Sequence, residues 1–156
     1  MGKVKWLYAT FFALAFALIV EWCGSFQVQN NIDWFLGLNL PIFSLLPPSF
    51  TIAYSVMSVV EMYVVSSALV KGVVNPTLKL YASVKFSSLL FLTLFFTARS
   101  SFWGLVTMTV TLTLFWIFAI SLFKSPVGKP AKVLLPALLL WYSYLWSFSY
   151  AVALIN

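Results

Sequence analysis

Apolar residues in this chain are gathered into five long blocks, and nearly all of the charge lies between the blocks rather than within them. The blocks cover residues 6–20, 52–70, 80–98, 102–123 and 133–155. A helix rises about 1.5 Å per residue, so crossing a hydrocarbon core of about 30 Å takes roughly 20 apolar residues. Four blocks reach that length, and the first reaches it if Trp22 and Cys23 extend it. The pattern therefore predicts five membrane-spanning helices.

The predicted architecture is an all-α integral membrane bundle of five transmembrane helices, in a single domain covering residues 1–156. The spans are expected at about residues 5–23, 51–71, 80–98, 102–124 and 132–155, with a long loop over residues 24–50. Hydrophobic residues make up 63% of the chain and charged residues 8%. A soluble domain of this length has no interior large enough to bury so much apolar surface, so membrane lipid is the expected surrounding. The spans also leave no room for a separate soluble catalytic domain.

The positions of the basic residues predict the orientation of the bundle, because lysine and arginine are enriched in cytoplasmic connections. Lysines precede the first span and lie between spans two and three and between spans four and five, which all fall at one end of an alternating bundle. The other end carries Asp33, Arg99 and an uncharged C-terminal segment. We therefore expect a multi-pass protein with its N-terminus cytoplasmic and its C-terminus outside. These connections account for the net charge of +6, and no nucleic-acid partner is expected.

The predicted loop over residues 24–50 is too long for a simple turn. Its first half is polar, and Pro41, Pro47 and Pro48 interrupt helical structure before the second span begins. Two alternatives remain open at this point. The segment either folds over the outer mouth of the bundle as a lid, as long loops in compact proteins often do, or it is a mobile connector.

Two charged residues lie inside the apolar blocks themselves: Glu61 near the middle of the second predicted span and Lys85 within the third. A charge at the bilayer centre costs about 2.5–3.5 kcal/mol on insertion scales, so such residues usually face the bundle interior. One alternative pairs Lys85 with Glu61. In the others, Lys85 extends its stem to the interface, and Glu61 is a protonated, hydrogen-bonded core residue. Glu21, near the end of the first predicted span, is expected to reach the lipid headgroups.

The fifth predicted span is rich in aromatic residues and carries a narrow polar stripe. Ser143, Ser147 and Tyr150 follow helical i, i+4, i+7 spacing, and Trp146 borders them. Flat rings beside hydroxyl groups suit a large, mostly apolar, planar ligand. The alternative is that these aromatic side chains pack the bundle and anchor it at the membrane interface.

Residues that usually carry catalysis or bind metals are scarce. The chain has no histidine and one cysteine, so a serine or cysteine nucleophile lacks its usual base and a haem with an axial histidine is excluded. Its three acidic residues are too few for a typical metal site. We expect a protein that is not an enzyme, with no metal and no cofactor.

Two stretches of the sequence resemble a known family of membrane proteins. Asp33-Trp34-Phe35 is followed by Leu-Asn-Leu-Pro at residues 38–41, and the third span begins with Tyr81-Ala82 and ends with Phe95-Phe96 before Arg99. These motifs, the size and the five-span layout resemble the TspO/translocator protein family, also called the peripheral benzodiazepine receptors or MBR family. Several of its polar or tryptophan positions differ here. Val84 stands in place of a glutamine, Ser88 of an asparagine and Phe91 of a tryptophan.

The resemblance implies a five-helix bundle, often a homodimer, that binds tetrapyrroles, sterols and synthetic isoquinoline or benzodiazepine ligands in a cavity under the first long loop. The function that the resemblance implies is binding of a hydrophobic ligand, tetrapyrrole-like or sterol- or lipid-like, inside the bundle, with transport of that ligand as a further expectation. The replaced positions predict a more apolar cavity than in the relatives. The alternative function is a structural subunit of a larger membrane complex without a ligand. The candidate ligand-binding residues are Phe43, Phe50, Tyr54, Glu61, Ser88, Phe91, Trp141, Trp146 and Ser149.

Overall fold

The computed structural model describes residues 2–45, 47–73 and 75–156, with side chains for all of these except residues 2–6, 9, 47, 48, 75 and 76. Its helices are α1 (Gly2–Asn30), α2 (Ile32–Leu36), α3 (Pro47–Val70), α4 (Asn75–Leu92), α5 (Ser101–Lys124) and α6 (Lys129–Ile155). A π-helical turn, Thr93–Thr97, continues α4. The described residues contain no strand.

Five helices of the described chain are long and apolar enough to cross a membrane. Their candidate spans are Thr10–Asn30, Ser49–Val70, Thr77–Thr97, Ser101–Lys124 and Lys129–Ile155. The prediction of an all-α membrane bundle with five spanning helices is confirmed. Which end of the bundle faces the cytoplasm stays a prediction.

The long loop expected from residue 24 onwards is wrong in its first half, because α1 continues to Asn30 and α2 follows almost at once. Two polar residues that the sequence pattern assigns to the loop form hydrogen bonds with residues of the helices. The side-chain amide of Gln27 donates to Thr93 Oγ1 at 2.9 Å, and that of Asn31 donates to the Gln27 carbonyl at 3.0 Å. Of the predicted loop, residues 37–45 form its continuous non-helical stretch, and residue 46 lies outside the described residues.

The five spanning helices close into a ring in the order α1, α3, α6, α5, α4, with contacts between each neighbouring pair. The helices α3 and α4 follow one another along the chain, yet they touch each other little because α1 packs against both of them. A side chain that points inward from α1, α3 or α4 therefore meets side chains from the other two. This arrangement determines where the charged residues of the bundle meet.

The short helix α2 covers one end of the ring, which we call the loop end. Phe35 is buried there, with its ring centroid 5.7 Å from Phe96 and 6.1 Å from Phe148. The backbone N–H of Asn39 donates to the side-chain oxygen of Asn156 at 2.9 Å, and the Asn156 amide donates to the Asn39 carbonyl at 3.0 Å. Of the two alternatives for this segment, packing over the end of the bundle is the one observed in residues 32–45.

Large apolar side chains cover the outside of the bundle, as lipid contact requires. On α1 the side chains that are more than half exposed include those of Leu7, Phe11, Phe12, Leu18 and Trp22. On a soluble monomer such a contiguous apolar face would be an association site, whereas in a bilayer it meets acyl chains of equal polarity.

Gly104 lets α5 approach the π-helical turn closely. A Cβ atom built on Gly104 would lie 2.5 Å from Cδ2 and 3.0 Å from Cβ of Phe95, whose side chain is fully buried. Gly37 at the end of α2 is a contrasting case, because an added Cβ would meet backbone atoms no closer than 3.4 Å and its φ of −80° suits any residue.

We expect Gly104→Ala to destabilise the bundle. Overpacking of a filled core costs about 1–3 kcal/mol, which outweighs the gain of about 1 kcal/mol that alanine brings to a helix interior. The measurement is thermal unfolding in detergent, with Gly37→Ala as the matched control that leaves the midpoint nearly unchanged. A midpoint for Gly104→Ala equal to or above that of the original chain would contradict the close packing.

Candidate functional site

A buried charge cluster joins three helices near the middle of the membrane-spanning region. The Lys85 Nζ atom on α4 lies 2.8 Å from Oε1 of Glu21 on α1 and 2.8 Å from Oε2 of Glu61 on α3. Lys85 and Glu61 are almost fully buried, whereas the Glu21 side chain remains 17% exposed. Of the alternatives for Lys85, the structure shows the pair with Glu61, and it adds Glu21 as a second partner.

A fourth helix reaches the cluster through a tyrosine. The Tyr142 hydroxyl on α6 donates to Oε1 of Glu61 at 3.2 Å, so both oxygens of this carboxylate have partners. The Tyr142 ring stacks on Phe115 of α5 with ring centroids 4.2 Å apart. The Lys85 ammonium also lies 5.8 Å from the centroid of the Tyr81 ring, within reach of a cation–π attraction. The cluster therefore connects α1, α3, α4 and α6 directly, and α5 through the stacked rings.

The three charged residues lie close to the middle of their spans, Thr10–Asn30, Ser49–Val70 and Thr77–Thr97. Ionisable groups at this depth pair with one another because the surrounding lipid cannot solvate them. Here two carboxylates share a single ammonium group. When all three groups are ionised, the cluster carries one surplus negative charge.

The cavity beside the cluster inside the ring is small, with a volume of about 30 Å³. A cavity of this size has room for about one water molecule. Six of the candidate ligand-binding residues line it: Phe50, Tyr54, Glu61, Ser88, Phe91 and Trp141. Two thirds of the residues predicted from the sequence therefore line one cavity. In this conformation the cavity is too small for a tetrapyrrole or a sterol.

Two larger cavities lie on the side of the bundle along α1 and α3. One has a volume of about 260 Å³ and is lined by residues of α1 from Leu18 to Gln29 and of α3 from Phe50 to Met62. The other has a volume of about 300 Å³ and extends towards α2, with Ile32 and Phe35 in its wall. Val28, Gln29, Phe50 and Thr51 line both, so we treat the two as one feature and call it the α1–α3 groove.

Glu21 is the member of the charge cluster that faces the α1–α3 groove. Its side chain lines the groove cavity of about 260 Å³ together with Tyr54 and Ser58. Glu61 and Lys85 line the central cavity and not the groove. Hydroxyl-bearing Ser25 and Ser55 share the same wall, and the remaining lining is mostly apolar. The groove therefore offers a long apolar surface with one carboxylate and a few hydroxyl groups.

The structure corrects the placement of three candidate residues, because Phe43, Trp146 and Ser149 do not line the central cavity. Phe43 is half exposed and packs edge-on against Tyr144. Trp146 lies against α5, where its Nε1 donates to Thr109 Oγ1 at 2.9 Å and its ring stacks on Tyr150. The Ser149 hydroxyl is buried and donates to the carbonyl of Leu145 at 2.8 Å.

The polar stripe of α6 does not point into the bundle either. Ser147 is exposed and its hydroxyl donates to the Ser143 carbonyl within the same helix, and Tyr150 is nearly half exposed. The i, i+4, i+7 spacing was real, but it marks a face directed away from the core. Of the two interpretations of these residues, packing and surface anchoring agrees with their positions.

Glu21 is the most important residue that sequence reasoning assigned to the wrong surroundings. The apolar pattern ends the first span near residue 23 and therefore predicts Glu21 among the lipid headgroups, whereas α1 runs to Asn30 and places Glu21 in the charge cluster. Lys85 and Tyr142 were also absent from the candidate set. The available signal was that two acids and one base lie near the middle of the spans, which predicts a shared cluster once the helix length is right.

We expect Lys85→Met to destabilise the bundle strongly, because methionine keeps the volume but leaves two carboxylates without their shared cation. Removing one partner of a buried pair costs about 3–5 kcal/mol. Unfolding in a denaturing detergent titration measures the change. Lys79→Met, which removes an exposed lysine from the same helix, is the matched control and should shift stability by less than about 0.5 kcal/mol.

The triple variant Lys85→Met with Glu21→Gln and Glu61→Gln separates charge from packing. It should recover most of the lost stability, because neutral side chains no longer need a buried counter-charge. If the triple variant is as unstable as Lys85→Met alone, the cluster does not stabilise the bundle through charge pairing.

Comparison with known proteins gives one assignment. The model of the TspO/MBR family matches residues 11–155, nearly the whole chain. No curated protein and no solved structure matched. The matched region includes all five candidate spans apart from Thr10, the first residue of the first span. It also contains the charge cluster and the residues that line both cavities of the groove. The chain belongs to the TspO/MBR family of multi-pass membrane proteins.

Proposed function

We propose that this protein binds an elongated, apolar and non-anionic ligand, sterol-like or lipid-like, in the α1–α3 groove. The observation that carries the proposal is the distribution of empty volume in the bundle. The cavities of the groove measure about 260 and 300 Å³, whereas the cavity inside the ring measures about 30 Å³. Ligand pockets for drug-sized molecules generally fall between about 300 and 1,000 Å³.

The shape of the groove favours a long ligand over a broad one. Its wall runs from Leu18 to Gln29 of α1, about 16 Å along a helix axis, and continues past Phe50 to the buried ring of Phe35. Several lining residues, among them Leu18, Ser55 and Val59, are exposed on the outer face of the bundle. A ligand can therefore enter the groove sideways from the bilayer without passing between the helices into the centre of the bundle.

Charge argues against an acidic tetrapyrrole in this groove. Such a molecule carries carboxylates, and the cluster behind the groove already has two carboxylates for one ammonium group. Like charges at low dielectric repel strongly, and a buried charge needs a counter-charge. A sterol or a lipid-like molecule meets the apolar lining without this cost. Family membership supports a hydrophobic ligand in a membrane setting, and the charge selects among the ligands that the resemblance implied.

The proposed role is binding, with exchange of ligand between the groove and the bilayer, and not catalysis. The α1–α3 groove joins a carboxylate to hydroxyl groups and apolar side chains, and its lining includes neither histidine nor cysteine. Such a set holds a ligand but does not form the usual nucleophile and base pair. Transport, the homodimer and the orientation of the termini stay predictions.

Photo-crosslinking with a photoactivatable cholesterol analogue in phosphatidylcholine nanodiscs tests the proposal. We expect crosslinks to peptides of α1 and α3 around residues 18–29 and 50–62, which line the groove. Ser55→Trp fills the groove and should reduce these crosslinks at least about tenfold, a loss of about 1.4 kcal/mol in binding.

Thr113→Trp is the matched control for this experiment. Thr113 is also an exposed hydroxyl residue on a spanning helix, but it lies on α5 outside the lining of the groove. It should leave the crosslinks to α1 and α3 unchanged. Equal labelling of the original chain and Ser55→Trp, or labelling spread evenly over all five helices, would contradict binding in the groove.

A further inference from the structure

The charge cluster has an imbalance that the protein alone does not resolve. Glu21 and Glu61 both contact the Lys85 ammonium at 2.8 Å, so one carboxylate charge has no side-chain counterpart in the cluster. The chain's third acidic residue, Asp33, is exposed on α2 and takes no part. In the middle of a membrane a surplus charge is neutralised by a proton or by a cation.

The two carboxylates differ in what can reach them. Glu61 is 3% exposed, and its oxygens are occupied by Lys85 and Tyr142. Glu21 contacts Lys85 through Oε1 and accepts a hydrogen bond from the Tyr54 hydroxyl, but it keeps 17% of its side chain exposed and lines the α1–α3 groove. A neutralising cation that arrives from the groove therefore meets Glu21 first.

We propose that the α1–α3 groove selects lipophilic amines, with Glu21 as the anionic anchor for the amine and the apolar wall for its hydrocarbon part. This inference rests on the proposed function of the groove and names the chemical class of its ligand. An ammonium group carries up to three N–H donors. The carboxylate of Glu21 and the hydroxyl groups of Ser25, Ser55 and Ser58 supply acceptors in the same cavity wall.

The depth of Glu21 determines the form in which the amine arrives. Because Glu21 lies near the middle of its span, a charged head group would have to cross apolar lipid to reach it. A neutral amine crosses more easily. Where a proton neutralises the empty cluster, that proton moves to the amine nitrogen, so that an N–H bond forms as the carboxyl O–H bond breaks. The product is an ammonium–carboxylate pair, and the total charge of protein plus ligand does not change.

The arrangement also explains why a phospholipid headgroup is a poor candidate for this position. Headgroups are held at the membrane surface, whereas the Glu21 side chain is about 15 Å from either end of a helix that spans about 20 residues. A single-chain or ring-shaped amine has no such restriction. Its hydrocarbon part would lie along α1 towards Gln29 and Phe35, where both cavities of the groove continue.

The test compares equilibrium binding of radiolabelled dodecylamine and 1-dodecanol to the full chain in phosphatidylcholine nanodiscs, with empty nanodiscs subtracted. The two probes share the chain and differ in the head group. We expect dodecylamine to bind at least about tenfold more tightly, as a charge-assisted hydrogen bond provides. Dodecanoate, which brings a second negative charge, should bind more weakly than dodecanol.

Glu21→Gln should abolish the preference for the amine, because the amide cannot complete an ion pair. The variant keeps the Lys85–Glu61 pair, and thermal unfolding verifies that it is folded. Asp33→Asn is the matched control, since it removes an acidic residue that lies outside both the groove and the charge cluster, and it should retain the preference. If Glu21→Gln does not fold, Ser58→Ala is the second variant and should lower the preference by removing an acceptor.

The outcomes separate this inference from the function on which it rests. Equal binding of dodecylamine and dodecanol, with both lost in Ser55→Trp, would overturn selection of amines while leaving the groove as a binding site. A preference that persists in Glu21→Gln would overturn the role of Glu21. Failure of both probes to bind, together with failure of sterol crosslinking, would overturn the proposed function itself.

Discussion

One ammonium group held between two carboxylates is the constraint on which the rest of this bundle depends. Lys85 contacts Glu21 and Glu61 from two different helices, and none of these groups can be solvated by lipid. The helices α1, α3 and α4 must therefore meet at one height, and Tyr142 brings α6 to the same place. The hydrophobic effect does not hold these helices at a fixed height, because lipid is as apolar as their side chains, so specific packing and polar contacts such as this cluster must do so.

The same constraint accounts for where empty space remains. Closing the ring around the cluster fills the centre with Phe91, Trp141, Tyr142 and their neighbours, which leaves about 30 Å³. The space that a hydrophobic ligand needs is found along α1 and α3 instead, on the side where Glu21 is still accessible. Folding and the proposed binding thus share a residue: Glu21 helps to join the helices and also gives the groove its charge. This sharing links the architecture of the bundle to the preference for non-anionic ligands that we propose.

Much of the fold could be predicted from the sequence, because length and apolarity alone decide whether a segment can cross a bilayer. The end of the first helix could not, since Gln27 and Asn31 have the polarity of loop residues, and the partner of Gln27, Thr93 Oγ1, is available only once the π-helical turn after α4 packs beside α1. That error moved Glu21 from the interior to the surface. The candidate site was found in part: Glu61 and Tyr54 do meet Phe91 and Trp141, but helical spacing could not tell that Trp146 faces α5 rather than the cavity.

The contacts of Lys85 with both carboxylates are the central claim, and solid-state NMR in lipid bilayers tests them most directly. Rotational-echo recoupling between ¹⁵N at lysine Nζ and ¹³C at the glutamate carboxyl carbons reports which of these groups are in contact, with Lys85→Met identifying the Lys85 signal. The account predicts strong dephasing of that signal by two distinct carboxyl carbons, one lost in Glu21→Gln and the other in Glu61→Gln, as expected for nitrogen–oxygen distances of 2.8 Å. A Lys85 signal that is not dephased by Glu21 would contradict it.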